Sequence, residues 1–424
     1  MLLRIYAVFL LFLASEVSAD ALKNYVSKVD KSFGWREVKR QSFADGNAYF
    51  LSMTSQKWRG IKWQHDLVLV VPRELDNRDF CFLLISGSAA PERNLDFLRR
   101  FASSTRSAAA VINRVPNQPL FEGRKEDALI AYTFRKYIDS GDESWPLIFP
   151  MVKSVMKAID AITEFSASID FPLNSFVTSG ASKRGWTTYL SAALDSRVKA
   201  IAPLVFDMLN MREQISWAQE VYGKQSEKIA DYTEMGLIEK IDEPRTVKLR
   251  SWVDPYSYRQ DLTVPKLILL GTNDPYWTVD SQKFYFYDLP GHNLIYQVPN
   301  AGHHISSYAD LFNTLSGWYR SLINSVELPE MGWEVLYSAG NPSGFSLNIN
   351  YPVNKIILWQ ADSDNRDFRQ SKWEGSYVPK SSMREISLQS VRSGCRAYML
   401  EVEVSIPGDG SSYKLSSTAF TVCK

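Results

Sequence analysis

The sequence predicts an α/β domain with a mostly parallel sheet, followed by a separate all-β unit. Two observations carry this. From about residue 45 to 325, short apolar runs alternate with helical patterns, the grammar of a parallel sheet with crossover helices. After Val326 the period changes. Tyr398, Leu400, Val402 and Val404 alternate with Met399, Glu401, Glu403 and Ser405, as in a half-buried strand.

The elements follow in chain order. Leu67–Val71, Phe80–Ile85 and Ala108–Ile112 are strand candidates. Met151, Val152, Val155, Ile159 and Ile162 recur at helical spacing, so Pro150 is expected to open a long amphipathic helix. Ser175–Ser179 is a short strand, and a helix from Lys183 carries Trp186, Leu190 and Ala193 on one face. Ile201–Phe206, Lys266–Leu270 and Leu294–Val298 complete the strands, and Leu311, Leu315, Trp318 and Leu322 mark a closing helix. The stretch 208–262 is polar, helical in pattern and too long for an ordinary loop, so it is expected to be a helical insertion. In the β unit, Phe345–Ile349, Ile356–Trp359 and Ala419–Val422 are further strands. The expected division is a leader over 1–19, an α/β domain over 20–326 and a β-sandwich over 327–424.

Composition limits the function. The chain has 424 residues, with 48 basic against 47 acidic side chains. That balance gives no large phosphate-binding surface, so a nucleic-acid partner is not expected. Neither a metal nor a cofactor is expected, because three cysteines and four histidines show no zinc spacing. Arg4, the apolar run Ile5–Ala14 and the small residues Val17-Ser18-Ala19 read as a secretory signal cleaved near Ala19. No later stretch suits a transmembrane helix. The expected product is secreted or periplasmic. There, Cys395 and Cys423 are free to pair, while Cys81 sits in an apolar run as a buried thiol.

The chemistry gathers on three loops. Gly180-Ala181-Ser182-Lys183-Arg184-Gly185 follows a strand and opens a helix, the context of a nucleophile elbow that exposes a serine. The Lys183 amide is one expected oxyanion donor, aided by the helix N-terminus. Gly87 and Ser88, after the strand Phe80–Ile85, are candidates for the other. Gly271-Thr272-Asn273-Asp274-Pro275 follows the strand Lys266–Leu270, and Asn300-Ala301-Gly302-His303-His304 follows Leu294–Val298. Ser182, Asp274 and His303 thus fall in the order Ser…Asp…His of α/β-hydrolases. His303 takes the serine proton and Asp274 orients the imidazole. Each also has a bland alternative, as a turn acid before proline or a hydrogen-bonded loop histidine. His304 competes as the base and Asp207 as the acid. Asn117, Gln118 and Glu126 are substrate-contact candidates, set against plain turn and helix-start roles.

With these residues in place, the chain resembles the PhoPQ-activated pathogenicity-related family. The matching segments are Val115–Leu120, Glu126–Thr133, Trp145–Met156, Val177–Thr187, Val253–Tyr258 and Pro299–His303, with Leu358–Gln360 and Asp367-Phe368-Arg369 in the β unit. Arg184 at the second position after the serine belongs to that family's pattern. The resemblance implies an α/β-hydrolase fold and carries Ser182, Asp274 and His303 over as its triad. It implies either a secreted esterase- or peptidase-type enzyme linked to virulence or antimicrobial-peptide resistance, or a non-catalytic secreted factor of the proliferation-repressor or chemorepellent type. The partners expected are a small ester or peptide substrate, or a cell-surface receptor.

Overall fold

The computed structural model describes residues 20–424; the expected signal segment lies outside the described residues. Helix α1 (Asp20–Ser27) leads into an antiparallel meander of β1 (Gly34–Phe43), β2 (Gly46–Trp58) and β3 (Ile61–Pro72). The β2–β3 turn needs only Arg59 and Gly60, at φ 50° and 80°. Two positive-φ residues are what a tight right-twisted hairpin demands. The meander was not foreseen in full. β1 is an exposed edge whose Arg36, Glu37, Lys39 and Arg40 blunt its open side, and it shows no apolar alternation.

The chain then builds the parallel part: β4 (Phe80–Ile85), α2 (Leu95–Thr105), β5 (Ala108–Ile112), α3 (Glu126–Ser140), α4 (Ile148–Ser168), β6 (Ser175–Ala181) and α5 (Lys183–Leu194). Helix α4 begins two residues before Pro150, so the proline sits within its first turn, where no amide is missed. β7 (Val198–Leu204) precedes the insertion, which holds α6 (Met211–Tyr222), α7 (Ala230–Glu234) and α8 (Pro244–Val253). β8 (Lys266–Gly271), β9 (Asn293–Val298) and α9 (Tyr308–Ile323) close the domain.

The nine strands run in the order β1-β2-β3-β5-β4-β6-β7-β8-β9. β5 through β9 are parallel, and β3 joins them antiparallel. The chain places β5 on one side of β4 and β6 on the other. That reversal of direction opens a crevice at the carboxyl ends of β4 and β6, where open α/β sheets bind ligands.

Successive residues of each strand feed opposite faces. In β5, Ala108, Ala110 and Ile112 join one core, and Ala109 and Val111 the other. The second core continues into the C-terminal unit. There β10 (Met331–Ser338), β11 (Asn341–Ile349), β12 (Val353–Ser363), β13 (Glu374–Tyr377), β14 (Ile386–Ser387), β15 (Cys395–Ser405), β16 (Ser412–Ser416) and β17 (Phe420–Cys423) form two antiparallel sheets. Leu315, Trp318 and Tyr319 of α9 are buried in the same cluster as Leu347, Leu400 and Tyr413. A Cβ on Gly317 would lie 2.9 Å from the Tyr413 ring, so the helix packs directly on β16. Cys395 and Cys423 form a disulfide between paired strands, and Cys81 is buried and free.

Candidate active site

Ser182 joins β6 to α5 with φ 58° and ψ −125°. A non-glycine residue there is strained by about 1–3 kcal/mol, a cost tolerated mainly at functional sites. The flanking glycines explain the motif's spacing. A Cβ on Gly180 would lie 2.8 Å from Arg184 Cβ, and one on Gly185 would lie 2.9 Å from Phe206 Cβ. The Ser182 amide donates to Leu204 O at 2.9 Å. The Lys183 amide opens α5, where helix geometry leaves the first donors without intrahelical acceptors.

The acid and histidine loops are fused backbone to backbone. Asn273 N donates to Ala301 O, and Thr272 N to Val298 O, at 2.9 and 3.1 Å. A Cβ on Gly271 would be 2.3 Å from Ala301 O, so only glycine permits this approach. Asp274, 5% exposed, accepts from His303 Nδ1 at 2.8 Å and from the Tyr276 amide at 3.0 Å. With its Nδ1 proton held by a carboxylate, His303 presents Nε2 as a free acceptor. The Tyr276 ring packs on the imidazole at 4.3 Å and lines the same cavity as Ser182. Among the described residues the Ser182 hydroxyl has no hydrogen-bond partner, His303 included. Such bonds are often long in ligand-free sites and tighten with substrate.

The other candidates separate cleanly. His304 is exposed beside the His303 ring. His65 is buried between Ser55 Oγ and Asn113 O, and burial pushes it down to about 4. His292 bonds Pro329 O. Asp207 does not reach His303. Its carboxylate accepts from Ser281 Oγ and Tyr285 OH, both at 2.5 Å, and from Gln282 Nε2. Burial outweighs those bonds and raises it to about 7. The Ser88 amide donates to Ser86 Oγ at 3.1 Å, so of the two loop candidates it is the one already engaged. Asn117 accepts only a long bond of 3.4 Å from Gln64 N.

Gln118 and Glu126 belong to a polar clamp beneath the serine loop. Glu126 takes Arg184 through both oxygens, at 2.6 and 2.7 Å, and Lys183 Nζ at 2.9 Å. Lys183 also reaches Asp127 at 3.1 Å, Gln118 exchanges bonds with Glu126, and Arg184 Nε donates to Val115 O. Partial burial opposes ionisation of Glu126, but the Arg184 bonds and the two cations prevail and hold it at about 2. The guanidinium fills the space where a Cβ on Gly87 would stand. Arg184 therefore ties the serine loop to the loop after β4, a role its position in the motif did not reveal.

Two asparagines were also not foreseen as site residues. Asn273 Nδ2 donates to the carbonyls of Phe368, Arg369 and Ser371, the last at 2.7 Å. Asn300 exchanges two bonds with the Trp373 backbone, at 2.8 and 3.0 Å. The β unit thus grips both loops that carry Asp274 and His303. The only signal in the sequence was the Asp367-Phe368-Arg369 segment, noted without a role.

This sheet, its crevice and its loops define an α/β-hydrolase scaffold. The chain belongs to the PhoPQ-activated pathogenicity-related protein family, whose model matches residues 22–369. It is 29% identical over 435 residues to autocrine proliferation repressor protein A of Dictyostelium discoideum, covering 93% of this chain and 88% of that relative. Among solved structures it is similar to acetyl xylan esterase 1 from a Thermoanaerobacterium species. The TM-score is 0.51 at 14% identity, over 73% of this chain and 93% of the esterase. At that identity the likeness speaks for the fold alone. Among the described residues, no helix is long and apolar enough to cross a membrane.

Proposed function

We propose that the protein is a secreted serine hydrolase acting on an ester or amide through an acyl-enzyme. Ser182 Oγ attacks the carbonyl carbon while His303 Nε2 takes its proton. The oxyanion is received by the amides of Lys183 and Gly87. The C–O or C–N bond then breaks, and His303 returns the proton to the leaving group. Water repeats the sequence on the acyl-enzyme and frees Ser182. The observation that carries this reading is the bonded Asp274–His303 pair, whose neighbour Tyr276 lines one cavity with the strained Ser182. A fluorophosphonate probe is expected to label the mature protein, and Ser182→Ala to abolish labelling. Undiminished labelling of that variant refutes the assignment.

A second reading follows from the relative named a proliferation repressor: a secreted signal on a hydrolase scaffold, recognised by a cell-surface receptor. Fold does not dictate function. The two readings part on one result, since a signal that needs no turnover survives Ser182→Ala.

A further inference from the structure

The insertion between β7 and β8 roofs an apolar cavity of about 120 Å³ that reaches Ser182. Met208, Ile215, Leu237 and Ile241 of the insertion form one wall, and Trp186 and Trp277 form the other. Of the aromatic residues in 208–262, Tyr232 lines it. Trp252 lies in the core, and Trp217 and Tyr222 bond to Asp280 and Trp277 O elsewhere.

Several of the polar groups on the wall are paired. Lys183 and Asp127 pair with each other, and Arg250 Nη1 donates to Ile241 O. Others are not: Thr246 Oγ1, in a residue 5% exposed, Trp277 Nε1 and the Ser182 hydroxyl have no partner among the described residues.

Size and direction narrow the occupant. An apolar cavity of roughly 150 Å³ holds benzene, so this one suits an aliphatic chain of about four to six carbons. His303 does not line the cavity, yet the leaving group must sit beside its Nε2 to be protonated. The part of the substrate in the cavity is therefore the acyl part.

We infer that this cavity is an acyl pocket and that the substrate is an ester or amide of a short aliphatic acid. The inference rests on the serine-hydrolase reading for its carbonyl end. It is tested with 4-nitrophenyl esters from acetate to decanoate. kcat/KM is expected to rise about fourfold per methylene up to hexanoate and to fall beyond it. Ile241→Trp, which fills the cavity, is expected to lower the hexanoate-to-acetate ratio at least tenfold, and Ile215→Phe to lower it in the same direction. A flat chain-length profile, or one that neither variant moves, overturns the pocket and leaves the hydrolase standing. Calorimetry of hexanamide with Ser182→Ala separates the two ideas. If no ester is cleaved but hexanamide binds, and Ile241→Trp weakens that binding tenfold, the pocket stands and the hydrolase reading falls. Absence of both cleavage and binding overturns both.

Discussion

Glu126→Gln removes one charge from the clamp beneath Ser182 and keeps its shape. In the native fold that carboxylate faces Lys183 and Arg184, whose side chains are 8% and 11% exposed. The pairing moves the carboxyl from its ordinary 4.5 to about 2. That displacement corresponds to roughly 3.4 kcal/mol at about 1.36 kcal/mol per pH unit. The Glu126 side chain is 39% exposed, so solvent screening roughly halves the figure, to about 1.7 kcal/mol. The folded state holds its proton more weakly than the unfolded chain does. The contribution is therefore fully present above the unfolded value of 4.5 and is lost as pH falls through about 2. Urea denaturation of wild type and Glu126→Gln should show a gap of about 1.7 kcal/mol at neutral pH. Near pH 3.5 the gap should shrink to about three-fifths of that. A variant as stable as wild type, or a gap that ignores pH over this range, refutes the account of the clamp.

Asn300→Ala deletes both bonds to the Trp373 backbone and leaves buried groups unmatched, at about 1–3 kcal/mol. Because Asn300 acts through the His303 loop, kcat on an ester should fall with KM little changed; a change in KM alone contradicts that positioning role. Replacing Cys395 and Cys423 with serine removes a crosslink spanning 28 residues, which should cost roughly 3.5 kcal/mol in urea titrations, and a smaller loss than about 1 kcal/mol argues against it. Burial raises Asp207 to about 7, so the folded state keeps a proton that the unfolded chain releases near 4. Its favourable effect is full below about pH 4 and is lost as pH rises through about 7. Asp207→Asn should abolish that part of the pH slope, and a slope identical to wild type over pH 5–8 counts against it.

Legibility followed locality. Phe80–Ile85 and Ala108–Ile112 match their strands residue for residue, because strands buried on both faces read as unbroken apolar runs. β1 escaped, because an exposed edge strand carries charges where a core strand carries a pattern. The serine turn was legible because its constraint is steric and lies within six residues, from Gly180 to Gly185. The grip of residues 368–373 on Asn273 and Asn300 was not, since it joins positions 73 to 98 apart in the chain. Nothing in a turn asparagine announces a distant carbonyl. The roles of the insertion's aromatic residues were illegible for a related reason. Composition cannot say which ring, like Tyr232, faces the cavity and which, like Trp252, serves the core.

The same nonlocal grip bears on how the two functional readings are told apart. A natural test of a signalling role is to cut away the β unit and ask whether activity remains. Here that cut would expose Leu315, Trp318 and Tyr319, which share a core with β11, β15 and β16. It would also release the acid and histidine loops from their backbone anchors. Loss of signalling in the truncated chain would follow from any function, binding or catalytic. Ser182→Ala disturbs none of these contacts. The serine hydroxyl has no partner among the described residues, so its removal leaves no hydrogen-bond network to collapse. A folded variant that still signals would assign the scaffold to recognition, and one that falls silent would assign the signal to turnover.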